Sequence, residues 1–112
     1  MTISCKQLEV IGKAKSYIGF AKKSGKLKIG TDNILAYKKI SDIILSNNIS
    51  DNAKKKIYNH SLKTNSTVIE IDYLIMKDVM ENENIKAISL LDKNLAKAFV
   101  ECIKTLEETI VE

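Results

Sequence analysis

Apolar residues at Leu8, Ile11, Ala14, Ile18 and Ala21 return at the three-to-four spacing of one helical face. Ser4 followed by Gln7 has the form of a capping box, so the helix is expected to start there. It should end at Ser24-Gly25, where Gly25 can take the left-handed conformation that closes a helix. Lys26-Leu27-Lys28-Ile29 then alternates polar and apolar, the pattern of a short half-buried strand. After Gly30, a second helix capped by Thr31 or Asp32 is expected to carry Ile34, Leu35 and Ile40, with Tyr37 between them.

The second half of the chain repeats this grammar. Ile43-Ile44-Leu45 is continuously apolar between Asp42 and Ser46-Asn47-Asn48, which suits a central strand covered on both faces. Ser50-Asp51 caps a third helix with Ala53, Ile57 and Leu62 on its apolar side and Lys54-Lys55-Lys56 outward. Thr67–Ile71 reads as a strand. Asp72 starts a fourth helix through Leu74, Ile75 and Val79 that fades at Glu81-Asn82-Glu83-Asn84. Ala87–Leu91 is the last strand. Asp92 caps a closing helix with Leu95, Ala96, Phe99, Ile103, Leu106 and Ile110.

Helices and strands therefore alternate from end to end. That order predicts an α/β fold, a three-layer α/β/α sandwich around a four-stranded mixed sheet. The strand at 27–29, shortest and most polar, belongs at an edge. With 112 residues, one domain over 1–112 is expected.

Charge adds what periodicity cannot. Every one of the eighteen cationic residues is Lys. Residues 1–56 hold twelve Lys against Glu9, Asp32, Asp42 and Asp51, a net of +8, whereas residues 57–112 hold six Lys against ten acids, a net of −4. Such polarity favours a polyanionic partner at one end. No apolar run approaches a membrane span, and Met1–Lys6 has no signal-type apolar stretch, so a cytoplasmic protein without membrane contact is expected. In that compartment Cys5 and Cys102 are expected as partly buried free thiols, a disulfide being the alternative. His60 has no second His or Cys near it in sequence, so neither a metal nor any other cofactor is expected.

Catalysis finds little support. The chain lacks a dinucleotide fingerprint, a phosphate loop and a nucleophile elbow. Asp72 and Asp92 fall where helix caps are wanted, and capping accounts for them first. The segment Lys22-Lys23-Ser24-Gly25-Lys26-Leu27-Lys28-Ile29-Gly30-Thr31-Asp32-Asn33 is more suggestive. Four Lys bracket a strand that delivers the chain to a helix start, where exposed amides favour a phosphate. Gly30 allows close backbone approach, and Asn33 beside Asp32 can read donor and acceptor edges of a base. The same Gly-Thr-Asp is also an ordinary turn and cap.

The chain resembles the ribosomal protein L-seven-Ae / L-thirty-e family of kink-turn RNA binders, most closely its bacterial YlxQ-like branch. The resemblance is carried by Gly19–Leu27, by Gly30-Thr31-Asp32-Asn33, by Asp51–Lys56 and by Asp92–Phe99. It implies a non-catalytic RNA-binding protein of the α/β/α type that works within a ribonucleoprotein, with structured ribosomal or kink-turn RNA and the ribosome as partners. Family members contact tandem sheared G·A pairs through Gly-x-Asn-Glu-x-x-Lys at the helix start. Aligned simply, Gly30 keeps the Gly, while Asp32, Asn33 and Ala36 stand at the Asn, Glu and Lys positions. A second family contact, a loop before the last strand that receives an unstacked nucleotide, corresponds to Glu81–Lys86, where Ile85 is the apolar member.

The expected RNA contacts are therefore Lys22, Lys23, Lys26 and Lys28 on phosphates, Gly30, Thr31, Asp32 and Asn33 at the helix start, and Ile85 with Lys86 at an unstacked base. Lys, a point charge without the planar fork of Arg, should give strong salt dependence and modest discrimination. A monomer is expected. The alternative is a protein-interaction module that keeps the fold and has lost kink-turn recognition.

Overall fold

The computed structural model describes residues 5–110, with side chains described over 9–106. The capping box at Ser4 and Gln7 and the Cys5 thiol lie outside the described residues. The order is α1 (Cys5–Lys23), β1 (Leu27–Ile29), α2 (Thr31–Ala36), β2 (Asp42–Ser46), α3 (Asp51–Thr64), β3 (Thr67–Ile71), α4 (Tyr73–Met80), β4 (Ala87–Leu90) and α5 (Lys93–Ile110).

The four strands form one mixed sheet in the order β1-β4-β2-β3. β2 and β3, joined by the α3 crossover, run parallel. β4 pairs antiparallel with both β1 and β2. β1 lies at an edge, as its length and polarity predict. Alternation along the two central strands distributes side chains to the two faces. Ile44, Ile88 and Leu90 point to one face and meet Ala14, Ile18 and Ala21 of α1, Ile75, Met76 and Val79 of α4, and Ala96, Phe99, Ile103 and Leu106 of α5. Ile43, Leu45 and Ala87 point to the other, under Ile34 of α2 and Ile57 of α3. The three-layer α/β/α arrangement follows from that split.

Helix starts follow local chemistry. The Ser50 hydroxyl accepts from the Ala53 amide at 3.3 Å and the Asp72 carboxylate from the Leu74 amide at 2.8 Å. Asp92 accepts from Asn94 and Leu95 at 2.9 and 3.1 Å. Gly25 closes α1 at φ 70°, with the Lys26 amide donating to the Ala21 carbonyl at 2.8 Å.

Three expectations need correction. α2 is capped by Gly30, with no side-chain cap bond from Thr31 or Asp32. It also ends at Ala36, and Ile40 is 56% exposed. The chain turns away because Tyr37 is extended and its carbonyl accepts from Nε2 of buried His60 at 2.8 Å. A buried hydroxyl pair then holds the next residues: Ser89 Oγ donates to Ser41 Oγ at 2.6 Å, while the Ser41 amide donates to Ser66 Oγ. Lastly, Leu62 and Leu74 are exposed, and Ile57, His60 and Ser61 are the buried residues of α3. Helical spacing locates an apolar face only to within a residue or so, and a short helix can lose one edge of it to solvent. None of the described helices is long and apolar enough to cross a membrane.

Candidate nucleic-acid interface

β1 divides the expected RNA-contacting residues between the two ends of the sheet. Lys22 and Lys23 form the last turn of α1, and Lys26 precedes the strand; all three are exposed. Lys26 is tied to the end where β4 finishes, its carbonyl accepting from the Leu91 amide at 2.8 Å. Gly30 lies at the opposite end, its amide donating to the Ala87 carbonyl at 2.9 Å where β4 begins. Four residues of extended chain at about 3.3 Å each put roughly 13 Å between these anchors. Lys28, between them, turns to the α2 face with its Nζ 6.0 Å from the centre of the Tyr37 ring, at the outer reach of a cation–π contact.

At the Gly30 end the backbone has φ 91° and ψ 150°, a conformation open essentially to glycine. No atom outside its immediate neighbours lies within 4 Å of where a Cβ would stand. The glycine is required by its dihedrals, and the space beside it is open. Asp32 and Asn33 are exposed on the first turn and Thr31 is half-buried. Asn33 Nδ2 donates to the Ile29 carbonyl at 2.7 Å, which fixes the side chain's direction. With six residues, α2 makes under two turns, so its dipole adds little to anion binding.

The Gly30–Ala87 bond brings the helix start beside Ile85 and Lys86. Lys86 is exposed, and its carbonyl accepts from the Ser46 amide at 2.8 Å. Ile85 is half-buried, one side packed against the larger core. These two residues, with Ser46, Asn48, Tyr73, Leu74 and Lys77, line an open recess of about 320 Å³. Tyr73 and Leu74, 45% and 49% exposed, supply apolar surface that the 81–86 loop itself lacks. Sequence reasoning missed them because helical periodicity assigns Leu74 to the core and the Asp72 cap explains their neighbourhood. The signal available was two large apolar residues directly after a cap, where the first turn stands clear of the packed layer.

Of the two acids in the loop, Glu81 faces away from this recess and pairs with Lys15 of α1 at 3.0 Å. It does so from a left-handed conformation, φ 55°, which ends α4 without a glycine. Glu83 stays at the rim of the recess. At the other end of the sheet, burial pushes the Asp42 carboxyl above its ordinary value and Lys93 pulls it partway back. Cys102 is a half-buried free thiol on α5 whose ionisation is shifted upward by burial, opposed by Lys13.

No family model matches the chain. No curated protein matches it either. Among solved structures, the chain is similar to a protein with unknown function from Bacillus halodurans, at TM-score 0.64 and 15% identity over 90% of this chain and 99% of the other. That likeness concerns the fold.

Proposed function

We propose that the protein binds structured RNA, without catalysing a reaction, through the end of the sheet where β1 and β2 finish and β4 begins. One observation carries the reading. The Gly30–Ala87 hydrogen bond joins two segments more than fifty residues apart, bringing the Gly30–Asn33 helix start beside the Ile85–Lys86 loop that lines the recess. Both are segments that the resemblance to kink-turn binders assigns to RNA.

The chemistry suits an unstacked base. Tyr73 lends an aromatic ring and Leu74 and Ile85 apolar side chains to a lining that is otherwise mostly polar, where Asn48 and Asn84 supply amide groups. Base stacking on aromatic side chains is a general route to single-stranded and looped RNA. Lys77 and Lys86 supply positive charge beside Glu83. Asn33, held by the Ile29 carbonyl, keeps its amide oxygen and second N–H for a base edge.

The deciding experiment titrates the protein with a kink-turn RNA and with a control whose sheared G·A pairs are replaced by Watson–Crick pairs. We expect at least about tenfold preference for the kink-turn, roughly 1.4 kcal/mol. Tyr73→Ala and Asn33→Ala should each lose most of it. Equal binding of both RNAs, or unchanged preference in both variants, would overturn the reading.

A second reading, a protein-interaction module, is favoured by Tyr58 and Leu62, exposed four residues apart on α3 on the opposite side of the sheet from α1, α4 and α5. Partners that stay bound after nuclease treatment and are lost in Leu62→Ser would support it.

A further inference from the structure

The fold places two further lysines beside those that β1 separates from Gly30. α5 starts at the same end of the sheet, because the Leu91 amide is bonded to the Lys26 carbonyl. Lys93 and Lys97 stand on its first two turns, exposed, along an open groove of about 460 Å³ that runs past Asp42 and Ile69. Lys93 is close enough to Asp42 to act on its carboxyl. This end of the sheet thus carries Lys22, Lys23 and Lys26 near β1, and Lys93 and Lys97 toward β2 and β3. Four strands at about 4.8 Å spacing make it roughly 14 Å wide.

The balance of charge is one-sided. Among the described residues the ion pairs are Lys15–Glu81 and Lys54–Glu70, and none of the five lysines belongs to either. Of the acids at this end, Asp92 directs its carboxylate to the Asn94 and Leu95 amides, Asp42 is partly withdrawn from solvent, and exposed Glu101 shares the groove with a further lysine, Lys104. Phe20, 63% exposed one turn before the end of α1, adds an aromatic surface next to the cluster. Five exposed lysines outside those ion pairs, three around the end of α1 and two along an open groove, suit a sugar–phosphate backbone contacted through charge.

We infer that this end of the sheet is a second RNA-contacting face, in which Lys22, Lys23, Lys26, Lys93 and Lys97 hold the phosphates of a separate stretch of the same RNA without reading its bases. The inference rests on the reading that the partner is RNA. It adds a second grip, on the far side of β1 from the recess.

The test compares two variants of equal net charge. In one, Lys22, Lys23, Lys93 and Lys97 are replaced by Gln; in the other, Lys39, Lys55, Lys56 and Lys63, exposed lysines elsewhere, are replaced by Gln. Both are titrated with a kink-turn RNA carrying an extended helical stem, between about 50 and 200 mM salt, with thermal melts confirming the fold. Removing one lysine–phosphate interaction lowers the salt slope by about 0.7–0.9. The first variant should therefore drop by close to three units of slope and keep its preference for the kink-turn over the Watson–Crick control. The second should drop by less than about one unit. Equal slopes in the two variants would overturn the second face and leave the recess reading intact. A reduced slope in a protein with no preference between the RNAs would uphold the face and overturn the recess reading. A wild type that binds neither RNA overturns both.

Discussion

Asn33 and Ile29 are joined by a 2.7 Å hydrogen bond from the side-chain amide to the backbone carbonyl, across the turn at Gly30. The residue proposed to read a base therefore also closes the turn on which it sits. Asn33→Ala should lower stability by about 0.5–1.5 kcal/mol, the worth of an ordinary intramolecular hydrogen bond. Asn33→Asp should do worse, since a carboxylate would face the Ile29 oxygen. Melts of the two variants beside their RNA titrations check this, and a larger loss of RNA selectivity than of stability is expected.

Ser89 and Ser41 form a directional pair in the α2–α3 layer, Ser89 fully buried and donating. Removing the acceptor leaves a buried O–H without its partner, which costs about 1–3 kcal/mol, whereas removing both groups can be nearly neutral. Ser41→Ala should then be less stable than the Ser41→Ala/Ser89→Ala double variant. Denaturant midpoints of the three proteins decide the matter, and a double variant weaker than the single would refute the buried pair.

Gly25 and Gly30 both have positive φ, at 70° and 91°. Asn65 shows that Asn occupies the left-handed region in this same chain, at φ 60°. Gly25→Asn should therefore cost under about 1 kcal/mol, whereas Gly30→Asn, at ψ 150°, enters a region costing of order 1–3 kcal/mol. Equal melting temperatures for the two would contradict the assigned conformations. Gly30 variants mix backbone strain with the proposed RNA contact, so Asn33 and Tyr73 are the cleaner probes of the candidate interface.

The partly buried Asp42 carboxyl should give the protein a pH response. Burial raises its folded-state value above that of the unfolded chain, so between the two values the folded protein holds the proton more tightly. Stability should fall as pH rises through that interval, and the penalty stands in full above it. Asp42→Asn is expected to melt higher than the parent at about pH 7, with the gap closing as pH is lowered toward about 4. A gap that widens on acidification would reverse the assignment and make the attraction to Lys93 dominant.

Much of the fold was legible because its determinants are local. Ser50, Asp72, Asp92 and Gly25 each do what their residue type and position predict. The unbroken Ile43-Ile44-Leu45 run could be recognised as a strand covered on both sides. α2 ends earlier than its spacing predicts, at a point where the Tyr37 carbonyl is held by His60, twenty-three residues away. No window of sequence contains that bond. The interface was half legible for a similar reason. Lys22–Asn33 reads as one basic segment, yet an extended strand sends its two extremities to opposite ends of the sheet. Tyr73 reaches the recess, and Lys93 the far end, only through the strand order β1-β4-β2-β3.

The same strand order gives β1 a role beyond holding two segments apart. Its register is pinned at both limits, by Gly30 to Ala87 and by Leu91 to Lys26. A slip of one residue would turn Lys28 into the core and Leu27 and Ile29 out of it, so the pairing has no neighbouring alternative. β1 therefore behaves as a ruler with three divisions. On the proposed reading, an RNA engaging both ends would have to present its unstacked base and its gripped phosphates at the separation this ruler sets.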